Sequence, residues 1–311
     1  MGQPQSMPPE QRLAMLDVLS GGLFASDEWQ GIEIDSSLLS YSGLNSYDVL
    51  DSYRDQVFDV PGAIEKLGAA LAGFKAVPNA VGLGALIISM ILESVGKSLG
   101  KQTMGTAEML QRVFAEEKGN EVRDLMEEYL KRLRINLGKP QLQLAETRQI
   151  ERDLSAQLTR LKNSMMVDGH MDSRLLKQWV NGAAFHTQML IHQARLEGAD
   201  GSRAVQAAGI YQRQLNDTMH RFKYYMIGNT LIERCDGFWV YCCLYFRKWE
   251  YFNYPTTEAL KEYVECVTET EVIEHLFSKQ ISWTKSYFSD LAANIPTLVR
   301  QNATFQIQNR H

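Results

Sequence analysis

Apolar residues recur at steps of three and four along most of the chain, the spacing that gathers them on one side of an α-helix. The most regular series is Val205, Ala208, Gln212, Leu215, Met219, Phe222 and Met226, a heptad pattern with one polar member. Ile150, Leu154, Leu158, Leu161 and Met165 step the same way within 141–167. Leu110, Val113, Phe114, Val122, Leu125, Met126, Tyr129, Leu130 and Leu133 mark the apolar side of 104–137, which Gly138-Lys139-Pro140 ends. Between turns at Asp168-Gly169 and 198–201, Leu175, Trp179, Ala183, His186 and Leu190 share a face of 172–197. After the heptad series nothing stronger than Gly228 and Gly237 interrupts before Pro255, so that helix is expected to approach fifty residues. Two more helices are expected over 257–279 and 281–293. No alternating strand pattern with hairpin turns stands out. The elements predict an all-α fold, an elongated bundle of long amphipathic helices whose apolar stripes need one another.

The first hundred residues differ from this. Pro8-Pro9-Glu10 starts a short helix expected to stop at Gly21-Gly22, and the rest of 1–60 reads as an irregular leader. Residues 61–100 read as a helical hairpin. Ile64, Leu67, Gly68, Leu71 and Phe74 stripe its first arm, Val77-Pro78-Asn79 breaks it, and a second arm follows over about 80–99. That second arm contains most of 76–92, an uncharged run between Lys75 and Glu93. Spanning hydrocarbon takes about 20 apolar residues and at least about 17, so the run barely suffices. Ala80 and Gly84, and Gly96 and Gly100, place small groups one turn apart, which allows close helix contact. Two fates remain open for it: a helix buried in the centre of a bundle also reads apolar on every side. The domain reading is therefore a leader at 1–60, a hairpin at 61–100 and a long-helix bundle at 101–311, with 61–311 as one cooperative domain.

Charge adds one asymmetry. The chain carries −5 overall, but residues 1–60 hold ten carboxylates against Arg12 and Arg54, leaving the remainder at +3. An acidic leader ahead of a mildly basic body is suited to shielding a surface that prefers anionic partners. No dense basic stripe is present, so nucleic acid is not an expected partner.

Catalytic and metal signatures are missing from the sequence. The histidines (His170, His186, His192, His220, His275 and His311) form no ligand pair of the HExxH type, and His186 and His192 stand six apart on different faces of one helix. There is no phosphate-cradling glycine motif and no nucleophile elbow. No enzymatic activity, cofactor or metal is expected. Cys235, Cys242, Cys243 and Cys266 lack a CxxC pair, and buried reduced thiols are the default expectation over a disulfide. No secretory leader is apparent, because Leu13–Leu19 is interrupted by Asp17 and lacks basic residues before it. Met1-Gly2-Gln3-Pro4-Gln5-Ser6 fits the pattern for myristoylation of Gly2, although one acyl chain anchors only marginally.

A second feature is aromatic. Phe238, Trp239, Tyr241, Tyr245, Phe246, Trp249, Tyr251, Phe252 and Tyr254 put nine rings within seventeen positions, interleaved with Arg247 and Lys248. Trp239, Tyr241, Tyr245 and Trp249 suit a membrane interface because each ring is apolar with a polar edge, while Arg247 and Lys248 attract anionic headgroups. A bulky core layer at one end of the bundle satisfies the same composition.

Pro61–Gly100, especially Ala76-Val77-Pro78-Asn79 through Ile88-Ser89-Met90-Ile91-Leu92, followed by long amphipathic helices, resembles α-helical pore-forming toxins. More narrowly, it is similar to cephalotoxin-like proteins of molluscs and fishes. The resemblance implies a bundle that conceals a hydrophobic hairpin and releases it at a bilayer. It assigns Leu83, Leu86, Ile87, Ile88, Met90, Ile91 and Leu92 to the membrane, with a lipid membrane as partner and homo-oligomers as the inserted state. The alternative from another class is a non-enzymatic scaffold held at the cytosolic membrane face through acylated Gly2.

Overall fold

The computed structural model describes residues 7–24, 32–34, 38–39, 90, 121–136, 139–236, 240–246, 250–255 and 266–300. Among them the chain is predominantly helical, as the periodicity predicts. The helices are α1 (Pro9–Phe24), α2 (Glu121–Ile135), α3 (Pro140–Met166), α4 (Ser173–Glu197), α5 (Ser202–Asn229) and α6 (Glu269–Arg300). Three strands, β1 (Thr230–Asp236), β2 (Val240–Phe246) and β3 (Glu250–Pro255), stand between α5 and α6. The hairpin expected at 61–100, apart from Met90, lies outside the described residues, as does the part of the 104–137 helix before Glu121.

Two compact units divide the chain. The first comprises Met1–Glu33, Ser164–Lys177 and Gln214–Lys285; the second comprises Ile34–Asn163, Gln178–Arg213 and Ser286–His311.

The second unit is built on α4. Every residue from Trp179 to Ala194 is buried, polar ones included. Gly182 explains part of this closeness: a Cβ there would stand 2.6 Å from a Leu158 methyl on α3 and 2.8 Å from a Val122 methyl on α2. Tyr129 of α2 meets Phe185 edge to face at 5.7 Å, and its hydroxyl lies 3.1 Å from that of Thr147. The C-terminus of α4 closes in a Schellman pattern, Ala199 N to Ala194 O at 2.7 Å and Gly198 N to Arg195 O at 3.2 Å, with Gly198 at φ 66°. At the start of α5, Gly201 has φ 79°, and a Cβ there would stand 2.7 Å from Val299 of α6. Only glycine meets both demands.

The first unit holds the sheet. β1, β2 and β3 form an antiparallel meander, registered Glu233 with Cys243 and Leu244 with Phe252, and α1 lies against β3. The fifty-residue helix expected from the heptad series is therefore corrected: α5 stops at Asn229. Asn229 Nδ2 donates to Tyr225 O at 2.8 Å and Thr230 Oγ1 to Met226 O at 2.7 Å, which satisfies carbonyls that a continuing helix would have used. The run beyond is dense in aromatic residues that fit a pleated surface. It showed no alternation because Cys242, Cys243, Leu244 and Phe246 are all buried, on both faces of β2.

Three smaller corrections follow. α1 passes through Gly21-Gly22 and ends at Phe24. The two helices expected at 257–279 and 281–293 are one, α6, with Pro296 inside it. The cysteines are not free: Cys242 and Cys266 are disulfide-bonded with their Cα atoms 5.8 Å apart, and Cys243 is disulfide-bonded as well.

Candidate functional site

Met90 is the one described residue of the apolar run. It is helical and 3% exposed. It borders a cavity of about 390 Å³ in the second unit, whose walls carry Asp124, Glu127 and Glu128 together with Lys131 and Arg134 of α2. Among these walls Glu128 is ion-paired with both Lys131 and Arg132. Hydrogen bonds from those two cations hold the Glu128 carboxyl below the usual carboxylate range. Leu83, Leu86, Ile87, Ile88, Ile91 and Leu92, like Gly2, lie outside the described residues.

Around α4 the second unit encloses a polar cluster. Glu151 of α3 lies 3.0 Å from His186 Nε2, and the Tyr211 hydroxyl of α5 lies 2.9 Å from His186 Nδ1. A carboxylate only accepts, so Nε2–H donates to Glu151, and Nδ1 shares the second hydrogen bond with the Tyr211 hydroxyl. Arg203 stands 3.6 Å from the other Glu151 oxygen. Burial pushes the Glu151 carboxyl up, but the His186 hydrogen bond and the charges of His186, Arg203 and Arg152 outweigh it and hold the group below its ordinary range. Burial raises the Tyr211 phenol, and the Glu151 charge raises it further. The cluster ties three helices at one level, which fixes their register as a lone apolar contact would not. On the α6 side, Gln188 Nε2 donates to the Tyr287 hydroxyl at 3.2 Å and Arg195 to Leu298 O at 2.7 Å. His192 is different. It is buried, its Nε2 has no hydrogen-bond partner among the described residues, and burial followed by the nearby Arg195 charge pushes its pKa down to about 3.

In the first unit the start of α6 gathers four attachments. Thr268 and Glu271 form a capping box: Thr268 N donates to Glu271 at 2.9 Å and Glu271 N to Thr268 Oγ1 at 3.3 Å. Arg12 Nε of α1 donates to Glu271 at 2.9 Å, and Asp17 meets His275 at 2.7 Å. Glu269 accepts from the edge amide of Ile232 on β1 at 2.9 Å, and Cys266 is bonded to Cys242 on β2. The meander and α1 are thereby fastened to one helix terminus.

The aromatic stretch falls on this meander rather than on a helix. Tyr245 is half-buried on β2, opposite Leu231 and Tyr251, and Tyr241 occupies the register position opposite Cys235 and Pro255. Trp239, Arg247, Lys248 and Trp249 lie outside the described residues. Sequence reasoning missed the Glu151–His186–Tyr211 cluster and the disulfide. Among the described residues no group of three or more His, Cys, Asp or Glu is placed to hold a metal ion. No protein-family model, curated protein or solved structure matches the chain.

Proposed function

We propose that the protein is a membrane-interacting, pore-forming helical protein that stores an apolar hairpin at 61–100 and inserts it into lipid as a homo-oligomer. The carrying observation is the uncharged run 76–92, together with the burial of Met90 within it. No helix among the described residues is long and apolar enough to cross a membrane, and the proposal assigns insertion to the hairpin alone. Insertion exchanges protein contacts around Leu83, Leu86, Ile87, Ile88, Met90, Ile91 and Leu92 for lipid contacts of nearly equal energy. A modest bias from headgroup binding or self-association then tips the equilibrium. In this reading the aromatic stretch 238–254, with Tyr241 and Tyr245 on β2 and Trp239, Arg247, Lys248 and Trp249 in the sequence between the strands, supplies an interfacial surface.

The bonded Cys242 and Cys266 favour this over a scaffold at the cytosolic membrane face, because disulfides persist in oxidising compartments. An acyl mass on Gly2 in the intact protein reverses that preference. The direct test is dye release from liposomes by wild type and Ile88→Glu. A charge at the helix centre costs about 3 kcal/mol on insertion, so leakage is expected to fall sharply. Leakage unchanged by Ile88→Glu rules out insertion by this segment.

A further inference from the structure

Charge is polarised along α2. Glu121–Glu128 carries four carboxylates against Arg123, whereas 131–148, across the turn into α3, carries five cations against Glu146. In a chain of net charge −5 this is a concentrated basic tip. Three of the five cations are engaged: Lys131 with Glu128, Arg132 with Glu128 and Glu146, and Arg148 with Glu197. Arg134 and Lys139 are exposed and enter no ion pair among the described residues. Beside them Ile135 is 65% exposed and Leu142 49% exposed.

Asn136 ties the end of α2 to the start of α3. Asn136 is buried; its amide donates to Arg132 O at 2.9 Å, and its carbonyl accepts from Lys139 N and from Gln143 Nε2, each at 3.0 Å. Ile135 at the end of α2 and Leu142 in the first turn of α3 flank these hydrogen bonds, and both are exposed. The parts of Ile135 and Leu142 left exposed gain free energy from any apolar phase they enter. We propose that this tip is a docking surface for an anionic lipid bilayer. Ile135 and Leu142 enter the boundary between headgroups and acyl chains, and Arg134 and Lys139 meet lipid phosphates. Exposed aliphatic residues beside these two cations favour a bilayer over a single-stranded nucleic acid, which is gripped by stacking aromatic rings. The inference deepens the membrane reading and rests on it: docking precedes insertion of the hairpin, but the two are separable in assay.

The test is flotation of the full chain with vesicles of phosphatidylcholine alone or mixed with phosphatidylglycerol. Wild type is expected to float with the mixed vesicles and far less with phosphatidylcholine alone. Arg134→Ala/Lys139→Ala is expected to lower the partition about thirtyfold, at roughly fivefold per cation. Ile135→Ser/Leu142→Ser is expected to lower it as well, with an unchanged circular dichroism spectrum in both variants. Undiminished partition of both double variants overturns the proposal, as does tighter wild-type binding to a single-stranded oligonucleotide than to mixed vesicles. Ile88→Glu serves as the separating arm. If it floats and leaks like wild type while the tip variants fail to float, docking stands and hairpin insertion falls.

Discussion

His192 gives the protein a built-in sensitivity to acid that is calculable from its surroundings. The imidazole is buried, its Nε2 has no hydrogen-bond partner among the described residues, and burial pushes its pKa down to about 3 from 6.5. A histidine whose folded pKa is depressed contributes stability that is fully present above the unfolded value and is lost as pH falls toward the folded one. Below about pH 6.5 the unfolded chain takes up this proton and the folded chain does not. Between about pH 7 and about pH 5 the resulting loss is about 2 kcal/mol. Glu151, Glu197 and Glu271 are all held below their ordinary range, so their own losses begin only at more acidic pH, where unfolded carboxylates protonate. Urea unfolding followed by far-ultraviolet circular dichroism at both pH values, for wild type and His192→Gln, isolates the effect. Wild type is expected to lose about 2 kcal/mol more than the variant across that window. Parallel losses in the two proteins refute the assignment of a buried neutral imidazole.

The remaining predictions concern the two units separately. Removing the Cys242–Cys266 bond, which spans a sequence separation of 24, by Cys242→Ser/Cys266→Ser is expected to destabilise the protein. The loop-closure magnitude is about 3–4 kcal/mol, read as a lower urea midpoint. Glu151→Ala leaves His186 and Arg203 without their carboxylate and is expected to cost about 3 kcal/mol. Glu151→Leu/His186→Leu is expected to cost less than the two single leucine changes together, the non-additivity of a coupled pair, measured in a double-mutant cycle.

Helices were legible where one face alone is apolar. The heptad of α5 and the stripes of α2 and α3 are found where their spacing placed them, because a single buried face leaves a period in the sequence. α4 was located correctly, but the burial of Trp179 to Ala194 on every side was not, since Asn181, Thr187, Gln188, His192 and Gln193 are polar residues that only enclosing helices bury. The meander was hidden for a related reason. With Cys242, Cys243, Leu244 and Phe246 all buried, β2 has no alternation, and Cys266 joins it from 24 residues away, a pairing that spacing does not encode. Of the candidate site, the composition of 76–92 was plain, whereas the Glu151–His186–Tyr211 cluster depends on three helices meeting at one level and left no local signature.

The central claim is that the segment around Ile88 leaves protein for lipid. An environment-sensitive fluorophore attached at position 88, with quenchers carried on lipid acyl chains, reports this transfer directly. The account predicts a blue-shifted emission on adding vesicles and strong quenching by acyl-chain quenchers near the bilayer centre. Vesicle-bound protein whose position-88 emission neither shifts nor is quenched contradicts it.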